Sequence, residues 1–575
     1  MTGEVRREWA ERIARKLGLC AEDVESVFER PPREELGDVA LPCFRFAKAL
    51  RRDPTEIAKQ AADALSDAPF VAEVSLAGAF LNIHLDRKHW TAAIIKEILS
   101  KGEKYGSSNE GKGRTVIVDF SSPNIAKPFG IGHLRSTVIG NALCRIYRFL
   151  NWNVVGINYL GDWGTQVAKM MVAYEKWFDK SEYQRNPIRY LYDLYVRFHK
   201  EEEKDAGLLE EARRKLVALE SGEGRALSLW RRFVELSKAE FQRIYDILGV
   251  SFDVVTGESM CDDNGIPRGR EKMEAVLQLL KQKGLVEESE GALIVDFKKR
   301  GIDLPPLMLR KRDGSTLYAT REVAVALERW RRYRFDLALY VVGMPQQLHF
   351  QQVFKLFELA GFEFAGRCRH IAFGHYVGMS TRKGTMVLLE EVLEGLIERA
   401  YEVVRQKNPS LVEEGVAEDV ARKVAVAALI FNDLKNARIK DVVYDEARML
   451  SLEGDTGPYL QYAHTRICGI LRKWGRELPQ EFEAEGITSD EEWRLVKLCG
   501  EFGRVVREAA RQFEPSIIAQ FLLDVAAAFN LFYQRHRVLN ASAAVRDARL
   551  LLCAAAKSVL ANGLKLLGIE PLERM

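Results

Sequence analysis

One stretch constrains this chain more than any other: Val116 to Asn153, VIVDFSSPNIAKPFGIGHLRSTVIGNALCRIYRFLNWN. Val116–Phe120 is a short apolar run of β-branched and aromatic type, the composition of a buried parallel strand. A loop with two prolines and two glycines follows. Leu134, Val138, Ile139, Leu143, Ile146, Tyr147 and Leu150 then recur at helical spacing, and Val154–Tyr159 returns as a strand. This is a βαβ unit, with its helix N-terminus at the carboxyl edge of a parallel sheet. Free N–H groups and the positive dipole end suit phosphate there. Gly132–His133 allows close backbone approach, and the imidazole serves as a donor.

A chain of 575 residues implies several domains. Its formal net charge of +3 does not announce nucleic acid, so an RNA-binding surface must come from local clustering. The eight cysteines lie far apart with no C-x-x-C pair. Neither a zinc ribbon nor a disulfide framework is indicated, and free thiols in a reducing compartment are expected. No apolar run is expected to reach membrane-spanning length. Glu4, Glu8 and Glu11 interrupt the basic amino terminus and argue against a transit peptide. The chain reads as cytoplasmic, without membrane contact.

Residues 1–105 read as an α/β module: a helix over Val5–Leu17, a helix start at Asp53-Pro54, and a hairpin or two short strands within Val71–Leu85. His84 and His89 read as surface or packing residues. Residues 106–390 form the sheet domain. NYLGDWGTQ (Asn158–Gln166) makes a second turn at the carboxyl edge. A charged, helical insertion occupies about 169–250. SGEGRALSLW lacks the lysine-serine ending of a P-loop, so a Walker site is rejected. FDVVTGES, ALIVDF and a hairpin-like LMLRKRDGSTLYAT turning at Asp313-Gly314 follow. A helix over Thr320–Trp330, a strand at Leu337–Val342, a helix over Gln346–Leu359 and a strand at Ile371–Phe373 complete a doubly wound parallel sheet. GHYVGMSTRKGTMVLLEEVL then carries glycines, hydroxyls and Arg382-Lys383, a basic loop able to close on polyphosphate. Residues 391–575 read as an all-helical bundle, with Gly568 capping its last helix.

SSPNIAKPFGIGHLRST resembles the HIGH region of class I aminoacyl-tRNA synthetases, in the form found in arginyl-tRNA synthetases. NYLGDWGTQ also resembles that family, and MSTRKG its variant of the KMSKS loop. GDTGPYLQYAH, VRDARLLL, LANGLKLLGI and the chain end PLERM resemble the DALR anticodon-binding domain. The resemblance implies an α/β, Rossmann-like catalytic domain with a helical insertion, an α/β amino-terminal domain that touches the tRNA elbow, and a stem with an all-α DALR bundle. It also implies a reaction: arginine, ATP and tRNA(Arg) give arginyl-tRNA, AMP and pyrophosphate. Transfer goes first to the 2′-hydroxyl of the terminal adenosine, with tRNA bound before adenylate forms. A monomer is expected.

Adenylate formation joins two anions, so the protein's work is positioning and charge stabilisation, with magnesium carried by ATP and no protein-bound metal. Gly130, Gly132, His133, Gly374, Met379 and Ser380 are the expected ATP-binding residues. Lys127, His133, Ser380, Arg382 and Lys383 are the expected catalytic ones; by resemblance, Lys127 substitutes for the missing second lysine of KMSKS. A guanidinium needs carboxylates and amide oxygens facing its fork of donors. The resemblance points to Asn124, Glu258, Tyr318, Glu322 and Gln346, and Tyr318 and Glu322 stand one helical turn apart. Tyr459, Tyr462, Tyr533 and Met575 correspond to anticodon contacts, where exposed ends can stack on bases.

Two departures from the family pattern stand out. Gly130 replaces the first histidine of HIGH, and losing one oriented donor costs about 100- to 1,000-fold unless Lys127 or a water takes its place. Glu322 stands where the family usually has aspartate. Gly130 motivates a second reading, a tRNA-binding paralogue without activation. A third, an adenylating nucleotidyltransferase without tRNA, is opposed by the helical bundle and the PLERM tail.

Overall fold

A computed structural model describes residues 2–262, 265–312, 314–315, 317–377, 387–480 and 484–575, without the side chains of Thr2 and Glu34. In the amino-terminal module, helix Thr2–Leu17 matches the expected periodicity. The Asp53 carboxylate accepts from Thr55 N and Glu56 N to cap helix Pro54–Asp63. Strands β1 (Val39–Pro42), β2 (Val71–Ala77) and β3 (Phe80–Leu85) form an antiparallel sheet in the order β1-β3-β2, and β2–β3 is the expected hairpin.

β4 (Thr115–Asp119), β5 (Asn153–Leu160) and β6 (Val254–Gly257) follow, with the helices of the insertion lying between β5 and β6. The next three strands depart from expectation. β7 (Glu287–Ser289), β8 (Ala292–Val295) and β9 (Leu307–Arg310) make a separate antiparallel sheet instead of continuing the parallel one. Around Gly314 the chain does turn, with Lys311 N bonding Ser315 O. On the return arm Leu317 N bonds Leu309 O, and helix Tyr318–Tyr333 then begins. Asp313 itself lies outside the described residues. β10 (Leu337–Tyr340) and β11 (Cys368–His370) then rejoin the parallel sheet. The strand expected at Ile371–Phe373 sits three residues earlier, because Ile371 N closes the ladder on Tyr340 O and Phe373 makes only an isolated bridge to Gly343.

Among the described residues the central sheet runs β11-β10-β4-β5-β6, all parallel. Strand order therefore reverses beside β4, the place where such sheets open a crevice at their carboxyl edge. Side chains of β4 alternate between two cores, as a strand buried on both faces requires. Val116 and Val118 join helix Gly132–Phe149, while Ile117 joins helices Tyr318–Tyr333 and Gln347–Leu359. Gly140 lets the first of these helices lie directly on the sheet, since a Cβ there would meet Phe120 at 2.2 Å.

The carboxyl-terminal region is a bundle of long helices: Leu389–Lys407, Ala417–Leu434, Gly457–Trp474, Asp490–Gln512, Ser516–Arg535 and Ala543–Leu566. Gly568, at φ +80°, follows the last as expected. Contrary to expectation, Ser516–Arg535 is long and apolar enough to cross a membrane by length and composition. Phe521, Leu522, Val525 and Phe529 bury it in the bundle core.

The bundle is fastened to the sheet domain by Arg135, on the first helix after β4. Arg135 Nε donates to Asp433 at 3.1 Å, Nη1 to Lys440 O at 2.8 Å and Nη2 to Arg438 O at 3.2 Å. Both side chains are almost completely buried. Removing one partner of such a pair strands a buried charge. Arg135→Met should therefore destabilise the protein by about 3–5 kcal/mol, and Arg135→Met/Asp433→Leu by clearly less. Urea unfolding of the two variants followed by tryptophan fluorescence checks the order.

Candidate active site

The loop that leaves β4 is held in an unusual backbone. Ser121, Ser122 and Ala126 all take positive φ, at 71°, 51° and 56°. Hydrogen bonds from three directions hold it there. Ser121 N donates to Ser136 Oγ at 2.9 Å, and Ser121 Oγ lies 2.7 Å from the Tyr245 hydroxyl. Ser122 N donates to Asn158 Oδ1 at 3.2 Å, and Ala126 N to Ser237 Oγ at 2.8 Å. Pro123–Ile125 then runs beside the end of β5, with Gly161 N bonding Pro123 O and Ile125 N bonding Gly161 O. Gly161 leaves room for the Asn124 side chain: a Cβ would fall 1.9 Å from Asn124 Oδ1 and push it aside.

The first turn of helix Gly132–Phe149 carries His133, with no side-chain cap at its start. Its imidazole packs on Phe129, and Nδ1 is buried without a hydrogen-bond partner among the described residues. Burial lowers the His133 pKa, assisted by the nearby Lys127 charge, so the ring is neutral and offers one N–H. Lys127 Nζ donates to Gln166 Oε1 at 3.0 Å and stands 4.4 Å over the Tyr195 ring of the insertion. Burial lowers its pKa as well.

Gly374 sits against the bundle, its N–H bonded to Arg438 O, where a Cβ would meet Asp441 and Lys440 within 2.8 Å. Tyr376–Val377 (β12) pairs with Val442–Val443 (β13). Met379, Ser380, Arg382 and Lys383 lie outside the described residues. On the far side of that segment, Ile131 N bonds Val387 O and Leu389 N bonds Phe129 O, bridging Gly130 to Leu388. The chain thus returns from the basic loop directly onto the turn that precedes His133.

Glu258 follows β6, and Arg321 Nη1 lies 2.9 Å from its carboxylate. Burial raises the Glu258 pKa against that charge, and Asp162 adds to the rise. Glu322 is half-buried and makes no hydrogen bond or ion pair among the described residues. Burial, Asp119 and Glu258 push it up to about 7. Tyr318 is exposed, with Arg321 over its ring at 5.6 Å. Of the residues expected to hold arginine, Glu258, Tyr318 and Glu322 gather around Arg321. Asn124 and Gln346 stand on the flanking loops after β4 and β10, both exposed. Reading the sequence missed Arg321, and also Arg329, whose Nη2 lies 2.7 Å from Asp119 Oδ2 as an ion pair. Arg329 is two helical turns beyond Glu322, a spacing that puts both on one helix face but does not reveal Asp119 as the partner.

In the bundle, Tyr459, Tyr462 and Met575 line one cavity of about 500 Å³ together with Arg466 and Asn530. Arg466 lies over Tyr462 at 4.7 Å and over Tyr533, which is outside the cavity, at 5.5 Å. Asn530 connects Arg466 to the Tyr459 hydroxyl. The tail is pinned along helix Gly457–Trp474: Gln461 donates to Glu570 O, Thr465 to Leu572 O and Arg472 to Glu573 O.

Three family models match the chain. The model for the catalytic domain of class I tRNA synthetases (R) covers residues 94–446, that for the arginyl-tRNA synthetase N-terminal domain covers 7–85, and that for the DALR anticodon-binding domain covers 460–575. The chain is 42% identical over 562 residues to the arginine–tRNA ligase of Alkaliphilus metalliredigens, with 97% of each chain covered. It is 43% identical over 571 residues to that of Clostridium beijerinckii, covering 98% of this chain and 99% of the relative. The solved Thermus thermophilus arginyl-tRNA synthetase superposes with a TM-score of 0.83 at 28% identity, covering 99% of this chain and all of that one. This chain belongs to the arginyl-tRNA synthetases, the class I, ATP-dependent enzymes that join arginine to its tRNA.

Proposed function

We propose that the carboxyl edge of the central sheet activates arginine as its adenylate and passes it to the 2′-hydroxyl of the terminal adenosine of tRNA(Arg). One observation carries the reading: Val387–Leu389, which follow the second motif in sequence, bridge onto Phe129–Ile131 of the first. ATP lies there with its phosphates at the start of helix Gly132–Phe149, against Gly130, Gly132 and the neutral His133. Lys127 approaches from the insertion side, and Ser380, Arg382 and Lys383 from the other, with Met379 and Gly374 against the nucleotide. Magnesium arrives with ATP. The arginine guanidinium sits between Glu258 and Glu322 beside Tyr318, with Asn124 and Gln346 orienting its α-groups. The carboxylate attacks the α-phosphate in line, and the cations stabilise the charge that develops as pyrophosphate leaves.

The amino-terminal module receives the tRNA elbow. The cavity of Tyr459, Tyr462 and Met575, with Tyr533 beside it, receives anticodon bases. The free thiols of the chain fit a reducing, cytoplasmic setting, and the enzyme acts as a monomer. The domain limits are 1–105, 106–390 with its insertion, and 391–575.

Arginine-dependent pyrophosphate exchange with and without tRNA(Arg) tests the reading. Exchange is expected only with tRNA, and its absence in both conditions would instead favour a binding paralogue. Lys127→Ala should lose about 100- to 1,000-fold in kcat, while Gly130→His should change kcat less than tenfold if Lys127 already supplies the missing donor. Gly161→Ala should lower kcat/KM for arginine about 100-fold by displacing Asn124. Tyr459→Ala should raise KM for tRNA about tenfold, the cost of one lost stacking contact, and leave KM for arginine unchanged.

A further inference from the structure

The groups around the arginine pocket pair off unevenly. Asp119, at the end of β4, is matched by Arg329 at 2.7 Å, and Glu258 by Arg321 at 2.9 Å. Both cations come from helix Tyr318–Tyr333, which also presents Glu322. Among the described residues neither arginine is fully satisfied: Arg321 Nε is buried without a partner, and Arg329 is held by charge and by the faces of Tyr159 and Tyr340 at 5.5 and 5.7 Å. Asp162, which also faces Glu258, is taken by Ser259 N at 2.8 Å and Ser259 Oγ at 2.7 Å and by the Lys238 charge. Among the described residues one carboxylate of this cluster is then left with neither hydrogen bond nor ion pair, that of Glu322.

We propose that Arg321 and Arg329 are internal counter-ions that set the charge of the pocket, leaving Glu322 as its single uncompensated carboxylate, so that one cationic side chain is admitted. They are positioning residues, acting on the substrate through Glu258 and Asp119. This deepens the reading of the pocket given above and rests on it. Without the two arginines, three acidic groups would converge at one strand edge, and a lone substrate cation would leave buried negative charge behind. With them, one guanidinium neutralises the pocket, and a neutral isostere leaves Glu322 unpaired.

The groups facing Glu322 among the described residues are Asp119 from β4, Tyr159 from β5, Glu258 after β6, Tyr340 from β10, and Arg321 and Arg329 from its own helix. Both tyrosines are held neutral by burial. An uncompensated, half-buried carboxylate takes up a proton near neutrality, in line with its value of about 7. Arginine binding must then expel that proton. Raising the pH through 7 ionises Glu322 and strengthens binding, and lowering it weakens binding.

Calorimetry of L-arginine binding to the full chain, in buffers of different ionisation enthalpy, reads this directly. The wild type should bind about tenfold more weakly at pH 6 than on its alkaline plateau, and release about half a proton per arginine at pH 7. Arg321→Met leaves two neighbouring carboxylates uncompensated, one of which must hold a proton, so release at pH 7 should rise to about one. Arg321→Met/Glu258→Gln removes both members of that pair and should restore the wild-type value. A structural role alone would not move proton release and return it. The proposal is overturned if the wild type releases no proton, a result that needs no variant to fold, or if Arg321→Met releases the same number as the wild type. Glu322→Gln separates the two layers: undiminished arginine binding there would refute the pocket itself.

Discussion

The interaction on which the rest of the structure depends is the burial of Arg135 against Asp433. One helical turn, His133 to Thr137, reaches in four directions. His133 packs on Phe129, Arg135 reaches the bundle, Ser136 reaches Val341 O beyond β10, and Thr137 reaches Ser121 on the positive-φ loop. The Arg135 guanidinium also takes the carbonyls of Arg438 and Lys440, and Arg438 O accepts from Gly374 N just before the basic loop. A charge buried this deeply tolerates little displacement. The bundle and the first catalytic turn are therefore fixed to one another, and the basic loop starts from the same junction.

That junction suits chemistry that needs no covalent intermediate. Joining two anions requires cations and N–H donors aimed at places where charge appears, held by parts that do not reorganise during the step. The structure meets this with main-chain strain in one short loop and with buried polar contacts around it. Lys127 is the exception. It rests on Gln166 and on Tyr195 of the insertion, so the insertion touches the residue proposed to stand in for the missing lysine.

Much of this was legible in the sequence. The βαβ unit announced itself because β4 is buried on both faces and its helix is amphipathic, which are local patterns. The hairpin β2–β3 and the caps at Asp53 and Gly568 were readable for the same reason. β8 and β9 were read with the resumed parallel sheet, since periodicity reports a strand but not its partner, and β7 was not read as a strand. β11 was misplaced because Ile371–Phe373 is more apolar than Cys368–His370, yet the latter pair with β10. The membrane-length helix at Ser516–Arg535 was overlooked because scattered polar residues such as Gln520, Asp524 and Asn530 break its apolar run. Arg321 with Glu258, and Arg329 with Asp119, are joined across 63 and 210 positions. Such pairings leave no trace in local spacing. Arg466 and Asn530 were missed similarly, being polar residues between aromatics on two different helices.

The central claim is that one strand edge holds the triphosphate at His133 and the guanidinium between two carboxylates. A crystal structure of the chain with arginine and a non-hydrolysable magnesium–ATP analogue tests it most directly. The account predicts phosphate oxygens within hydrogen-bond distance of the His133 ring and the Gly132 end of the helix, and a guanidinium within 4 Å of both Glu258 and Glu322. A nucleotide bound away from that helix start, or an arginine side chain contacting neither carboxylate, would contradict it.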